Sequence, residues 1–298
     1  MWIEEPGAIT ERIELVGHKE LCSYLLKGDV YALVGGSMAH VLPTVLNQLE
    51  GLKIDLERIR YLIILHTHYD HLGMAPYLVR EWPWVKVVVS RVGAGVLTNQ
   101  RALTAIQDYN NLFLDREGAL EQLRPLDLVG EGFPVHMTVE GGTALDLGDG
   151  VGLPFINAPG HSVCSIALFF PREYALFPSD GMGTLTEERI LPMGSSNYDD
   201  FQLSIEKLGK LGAEIICFEH YGALTHPEGK GFAERAKREA RAFRSKMGDL
   251  YRTHGDVERV AEELSEDCKS GLSRRGLLPD DLLKDILRRM VKFVNGIE

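Results

Sequence analysis

The sequence predicts an α/β fold followed by a helical C-terminal region, on three observations. Short, β-branched apolar runs alternate with segments of helical spacing. Histidines and carboxylates gather directly behind those apolar runs, where open α/β sheets place their chemistry. From about residue 226 the composition turns to Ala, Arg, Glu and Lys, the residues of helices.

Taken in order, Ile13 to Val16 and Cys22 to Leu26 read as strands, Gly28-Asp29 as a hairpin turn, and Tyr31 to Val34 as the returning strand. Val41 to Leu52 has helical spacing and precedes the run Tyr61-Leu62-Ile63-Ile64-Leu65, short and apolar enough for a buried strand. Met74 to Glu81 reads as a short helix and Val85 to Val89 as a strand ending at Ser90. Leu103 to Leu123 is helix-like, carries Tyr109 and Phe113, and stops before Pro125. It serves either as a lid or wall over a site or as a helix packed outside the core, because sequence does not say which way its apolar face points. Thr225 to Gly231 reads as a turn-rich linker, followed by helices over Phe232–Arg252, about Asp256–Cys268 and Asp280–Val294.

The chemistry sits in His66-Thr67-His68-Tyr69-Asp70-His71, three imidazoles and a carboxylate in six residues at the end of an apolar strand. In an extended segment His66 and His68 point the same way. Imidazole and carboxylate suit Zn²⁺, Fe or Mn, and four such groups exceed what one open zinc site takes from a protein, so two metals are implied. His161 in Pro159-Gly160-His161, Asp180 in Ser179-Asp180-Gly181 and His220 after Ile215-Ile216-Cys217-Phe218-Glu219 also follow apolar runs.

This order of His-x-His-x-Asp-His, Gly-His, Ser-Asp-Gly and a strand-terminal His resembles the metallo-β-lactamase superfamily over roughly residues 20 to 225. The resemblance implies a four-layer αββα sandwich of two mixed sheets with helices outside and a dinuclear site at one edge. A catalytic domain would span 1–225, with a helical insertion at about 100–124 and a C-terminal helical region at 226–298. It further implies that His66, His68 and His161 hold one metal, that Asp70, His71 and His220 hold the other, and that Asp180 bridges them. Many members carry an Asp-x-Gly turn after the second N-terminal strand. Here Gly35-Gly36-Ser37 follows Tyr31 to Val34, so a carboxylate that orients ligands is missing from that place.

Composition narrows the function. The 298 residues are 45% hydrophobic and 25% charged, ordinary for a soluble globular protein. No apolar stretch approaches the roughly 18 residues of a membrane span, and Met1 to Pro6 lacks the basic start and apolar core of a secretory signal, so the expected place is the cytoplasm with no membrane partner. A net charge of −11 argues against a broad grip on nucleic acid. Cys22, Cys164, Cys217 and Cys268 show no CxxC spacing, and reduced thiols are expected. Cys164 and Cys217 read as small core residues, His226 as a solvated loop histidine, and Arg235, Lys237, Arg238, Arg241 and Arg244 as a solvated helix face interleaved with Glu. The helical C terminus is similar in layout to that of hydroxyacylglutathione hydrolases. A homodimer through apolar helix faces is a further expectation.

Together these readings give a metal-dependent hydrolase acting on a small-molecule ester, thioester or lactone. Two divalent ions, zinc first, with iron or manganese accepted by the same donors, would lower the pKa of a bridging water and polarise the scissile group. Asp70 and Asp180 hold the cations, and one of them takes the proton. The rival is a diiron centre that reduces dioxygen or nitric oxide on the same fold. Proteins of that kind usually have Glu where this chain has His68, although Leu176 to Gly183 is similar to the region of their bridging Asp. A non-catalytic protein with a structural metal is the third reading, and a closed four-ligand site would suit it better than this one.

Overall fold

Strands buried on both faces explain the nearly continuous apolar runs of the N-terminal half. The computed structural model describes residues 1–186, 189–269 and 278–297. The parts of the expected C-terminal helical region at 270–277 and 298 lie outside them. The chain opens with strands β1 (Trp2–Ile3), β2 (Gly7–Ala8), β3 (Ile13–His18), β4 (Leu21–Lys27) and β5 (Tyr31–Val34). Helix α1 (Leu42–Gly51) leads to β6 (Ile59–Ile63), α2 (Ala75–Glu81), β7 (Lys86–Ser90), α3 (Arg91–Val96), α4 (Gln100–Arg116), α5 (Leu128–Glu131) and β8 (Met137–Val139). The second half contains β9 (Ala144–Asp146), β10 (Gly152–Asn157), β11 (Ile166–Phe170), β12 (Ala175–Phe177), the small pair β13 (Thr184–Leu185) and β14 (Ile190–Leu191), α6 (Tyr198–Gly209), β15 (Ile215–Cys217) and β16 (Ala223–Leu224). Helices α7 (Glu228–His254), α8 (Val257–Lys269) and α9 (Asp280–Val294) close the chain.

Two mixed sheets result. One has the order β2-β3-β4-β5-β6-β7-β8, antiparallel through β5 and parallel from β5 to β8. The other has the order β1-β16-β15-β12-β11-β10-β9, antiparallel except for the parallel pair β12 and β15. Alternation sorts each strand between two cores. Tyr24, Leu26, Val34 and Ile63 face the other sheet and meet Phe155, Leu168 and Phe177. Their neighbours Leu25, Leu33 and Leu62 face outward and pack with Val45, Leu78 and Phe113 of α1, α2 and α4. On the far side Ala167, Leu176 and Ile216 meet Phe201, Ile205 and Phe232 of α6 and α7. The layers are therefore helix, sheet, sheet, helix, as the resemblance implied. Helices α8 and α9 add a fourth core on α7 around Met247, Leu264, Leu287 and Met290. Among the described residues no helix is long and apolar enough to cross a membrane.

Two elements differ from the sequence reading. The helix expected over Leu103–Leu123 begins earlier, because the Asn99 side chain accepts the N–H groups of Arg101 and Ala102. It ends at Arg116 in a Schellman turn: Gly118 takes φ +68°, and the N–H groups of Gly118 and Ala119 reach back to the carbonyls of Asp115 and Leu114. The expected linker Thr225–Gly231 is helical from Glu228. Gly229 permits close packing rather than a turn, since a Cβ there would sit 2.2 Å from the Glu214 carbonyl oxygen.

The two sheets are tied beneath the site by Tyr24, whose buried hydroxyl lies 2.6 Å from the Phe218 carbonyl and 2.8 Å from that of Gly222. Tyr24→Phe leaves the Phe218 carbonyl without this donor and should lower stability by about 1–3 kcal/mol in urea denaturation. An unchanged midpoint would show that the loop after β15 does not depend on it.

Candidate metal centre

Strand ends from both sheets deliver the polar residues to one edge of the sandwich. From β6 the chain passes through Ile64 and Leu65 to His66 and His68, and a 3-10 turn over Tyr69–His71 then folds Asp70 and His71 back towards them. Gly36 cradles that turn: its N–H donates to the His71 carbonyl at 2.9 Å, and a Cβ there would come within 2.6 Å of the same oxygen. His161 follows β10, Asp180 follows β12 and His220 follows β15. All seven residues singled out in the sequence are brought together.

Asp180 lies at the hub. Its Oδ2 is 3.7 Å from His66 Nε2, 3.4 Å from His71 Nε2, 3.4 Å from His161 Nε2 and 3.8 Å from His220 Nε2. On one side His66, His68 and His161 converge, and on the other Asp70, His71 and His220. Asp70 Oδ2 lies 3.4 Å from His71 Nε2 and 3.5 Å from His220 Nε2.

These donors fit cations better than they fit one another. His161 Nε2 faces His68 Nδ1 at 3.0 Å and His220 Nε2 faces His71 Nε2 at 3.2 Å, ring nitrogen against ring nitrogen. His66 Nε2 is buried without a hydrogen-bond partner. The opposite nitrogens are occupied: His161 Nδ1–H donates to the Met193 carbonyl at 2.8 Å, His220 Nδ1–H to the Glu20 carbonyl at 2.6 Å, and His66 Nδ1 meets Ser179 Oγ at 2.7 Å. Such outer contacts fix the tautomer and aim the remaining nitrogen inward, the usual support of metal-binding histidines. His68 alone turns its Nδ1 to the centre.

Electrostatics separate the two groups. Burial, reinforced by the neighbouring His66 and His161, holds His68 well below the ordinary imidazole value, and burial takes His161 down to about 4. Burial also opposes charge on His71 and His220. There, however, the carboxylates outweigh it, Asp70 foremost on His71 and Asp180 foremost on His220, and both rings are raised. Desolvation likewise opposes charge on Asp70 and Asp180, yet the surrounding histidines outweigh it and hold both carboxyls well below the usual range.

The backbone is strained beside two residues of the cluster. Ser179, immediately before Asp180, has φ +56°, and Tyr221, immediately after His220, has φ +64°. A non-glycine residue there costs on the order of 1–3 kcal/mol, tolerated where surrounding contacts over-determine it. For Tyr221 those contacts are its N–H to the Lys19 carbonyl and the Trp2 indole N–H to its own carbonyl, both 2.6 Å.

A cavity of about 590 Å³ opens onto the cluster. Helix α4 lines it with Ala102, Ala105, Ile106 and Tyr109, so this segment forms a wall of the site. The Tyr109 ring stacks on Tyr69 at 4.3 Å between centroids. Helix α9 contributes Leu282, Ile286 and Arg289, one face at i, i+4 and i+7. Arg289 is the only Lys or Arg among the described lining residues. Cys164 lines the cavity too, its Sγ 3.2 Å from the hydroxyls of Thr67 and Ser162, whereas Cys217 lies in the core between the sheets. His226 is exposed and outside the cavity. Of the basic residues of α7, Lys237 and Arg241 pair with Glu206 and Arg244 with Asp199 on α6, while Arg235 and Arg238 are exposed.

Sequence reasoning missed Glu219. It is 2% exposed, with its carboxylate behind His66 and His71, and those rings outweigh its burial and hold it at about 2. Its signal was a charged residue closing an otherwise apolar run. A buried carboxylate therefore stands beside these rings from a different strand end than Gly35-Gly36-Ser37.

A family model described as the metallo-beta-lactamase superfamily matches residues 23–220. Diflavin flavoprotein A 1 of Synechocystis is 32% identical over 162 residues, which take in 54% of this chain and 23% of that longer protein. A metallo-beta-lactamase family protein of Thermus thermophilus superposes with a TM-score of 0.64 at 17% identity, covering 97% of this chain and 95% of that one. Rubredoxin oxygen:oxidoreductase of Desulfovibrio gigas gives 0.56 at 15% identity, covering 95% and 75%. At such identities the structural likeness shows the fold alone.

The raised histidines predict opposite pH responses with and without metal. In the metal-free chain their pairing with carboxylates contributes stability that is fully present below the ordinary value of 6.5 and is lost as pH rises through the raised values. Metal binding needs both rings unprotonated and runs the other way. Thermal melts of chelator-treated protein should therefore fall from pH 6.5 upward, while the increment conferred by added zinc grows over the same range. An increment that shrinks with rising pH would contradict the assignment.

Proposed function

The chain belongs to the metallo-β-lactamase superfamily, and from that membership and the shape of its cavity we propose that it is a metal-dependent hydrolase of a small ester, thioester or lactone. The cavity carries the reading. A volume of about 590 Å³ accommodates an organic substrate, whereas a diatomic gas needs little more than the ~30 Å³ of one water. Val96, Ala102, Ala105, Ile106, Leu282 and Ile286 give it apolar walls suited to an acyl or ring substituent. Arg289 at its rim suits an anionic group on the same molecule.

His66, His68 and His161 would hold one divalent ion and Asp70, His71 and His220 the other, with Asp180 between them. Such a pair supplies a hydroxide-like nucleophile near neutral pH and polarises the scissile carbonyl. The chain's own part is to orient and to move a proton. Asp180 Oδ2 and Asp70 Oδ2 face the centre and offset its positive charge, and either is placed to take the proton released as water attacks. Tyr69 and Tyr109 form a stacked wall beside them.

A diiron oxygen or nitric oxide reductase is the second reading, favoured by the similarity to a diflavin flavoprotein and by the fold shared with rubredoxin oxygen:oxidoreductase. Against it stands the imidazole of His68, where the resemblance places a glutamate in such proteins. Metal analysis of protein purified without chelator, with a visible spectrum under aerobic and reducing conditions, separates the two. Two zinc ions per chain and a featureless spectrum support the hydrolase. Two irons with a band that bleaches on reduction replace it with the reductase.

Within the hydrolase reading, Asp180→Asn should lower kcat by roughly 10²–10³-fold, the scale of removing one electrostatic stabiliser from a reaction centre. Arg289→Ala should raise KM for a carboxylate-bearing thioester about tenfold and leave kcat unchanged, the pattern of lost uniform binding. An unaltered KM would remove Arg289 from substrate recognition.

A further inference from the structure

We propose that Glu219 is a positioning residue for both halves of the metal centre, fixing which nitrogen His66 and His71 present. The inference rests on reading the cluster as a metal centre. Glu219 Oε2 lies 3.6 Å from His66 Nδ1 and Oε1 lies 3.5 Å from His71 Nδ1. Both oxygens are buried and have no hydrogen bond within ordinary limits. The two rings stand 4.2 Å apart, one in each group of ligands. Each is clamped between carboxylates, with Glu219 behind Nδ1 and Asp180 Oδ2 before Nε2. A proton held on Nδ1 leaves Nε2 bare for a cation, and Glu219 favours that proton on both rings, on His66 together with Ser179 Oγ.

The fold makes room for this carboxylate and holds it. The Cys22 N–H donates to the Glu219 carbonyl at 2.8 Å, and the Phe218 N–H to the Gly222 carbonyl at 3.0 Å, which fixes the backbone on either side. Gly35 faces it across the end of β5. With φ +89°, a Cβ there would lie 3.2 Å from Glu219 Oε1 and 3.0 Å from the Cys22 carbonyl oxygen. Packing gives no account of a charged group here, since an apolar side chain of similar size would fill the space without desolvating a charge. Charge does give one. Two divalent ions bring four positive charges into a buried edge, where Asp70 and Asp180 offset two and Glu219 a third. Glu219 is not itself placed as a ligand of a third ion through these nitrogens, because Ser179 Oγ already occupies His66 Nδ1 at 2.7 Å.

The test is zinc affinity, measured by competition with a chromophoric chelator, on the whole chain and three variants. Glu219→Gln keeps the shape and removes the charge. Because Glu219 touches a ring in each group, both zinc ions should bind about 10–100-fold more weakly. Ser179→Ala removes a partner of His66 alone and should weaken one ion only. Val87→Ala, in the core on the far face of β7, should lower the melting temperature with zinc affinity unchanged. Wild-type affinity for both ions in Glu219→Gln overturns the proposal, as does a loss that Val87→Ala reproduces at equal loss of melting temperature. Failure of the unmodified chain to bind zinc, iron or manganese overturns the metal-centre reading and the proposal with it, and so is distinguished from failure of Glu219 alone.

Discussion

Four imidazole nitrogens around a single carboxylate oxygen, all within 3.8 Å of it, are the arrangement on which the rest of the structure depends. Ring nitrogens that face one another at 3.0–3.2 Å are poorly matched without a cation or a shared proton. Such a cluster persists only if the backbone beneath it is held independently of the cluster itself. Two sheets do this by cross-links at the same edge. The Ile166 N–H donates to the Leu65 carbonyl at 2.9 Å and the Cys22 N–H to the Glu219 carbonyl at 2.8 Å, one next to His66 and the other next to His220. The left-handed backbone at Ser179 and Tyr221 is tolerated for the same reason.

The centre is not electrically uniform. Burial disfavours charge on His68 and His161, while the carboxylates outweigh burial on His71 and His220, which have Asp70 beside them as well as the central Asp180. The two positions therefore lie in different electrostatic surroundings. Glu219 spans them, with one oxygen toward each group. What lines the cavity at the centre comes from elsewhere in the chain: α4 and α9, far apart in sequence, both supply walls of it. By contrast, the ion pairs joining α7 to α6 are solvated and contribute little each.

One scaffold serves both a metallo-beta-lactamase family protein and a rubredoxin oxygen:oxidoreductase among the structures this chain is similar to. Membership of the superfamily accounts for the sheets and for strand-end donors but leaves the reaction to the donor at position 68 and to the walls of the cavity.

Much of this was legible in the residues themselves. A six-residue stretch with three imidazoles and a carboxylate announces a metal site, and the sheet strands near it are readable because apolar runs buried on both faces have little other use. Helix α9 has the bounds expected of it, Asp280–Val294. The end of α4 at Arg116 was also written in Glu117-Gly118, and weighing that Schellman signal would have shortened the expected helix. Other features were decided only by tertiary packing. Whether α4 lay over the site or outside the sandwich depended on which core its apolar face met. The glycines at 229 and 231 looked like a linker and proved helical, because Gly229 must pass close to the Glu214 carbonyl. Glu219 was visible as a misplaced charge, yet its partners at 66 and 71 lie some 150 residues earlier and only the folded sheets bring them together. The sequence by itself determined the ligand types and the strands that end in them, because local chemistry and periodicity are properties of neighbouring residues. The tertiary structure alone decided the orienting carboxylate and the shape of the cavity, because both are made by side chains that meet only across the packed layers.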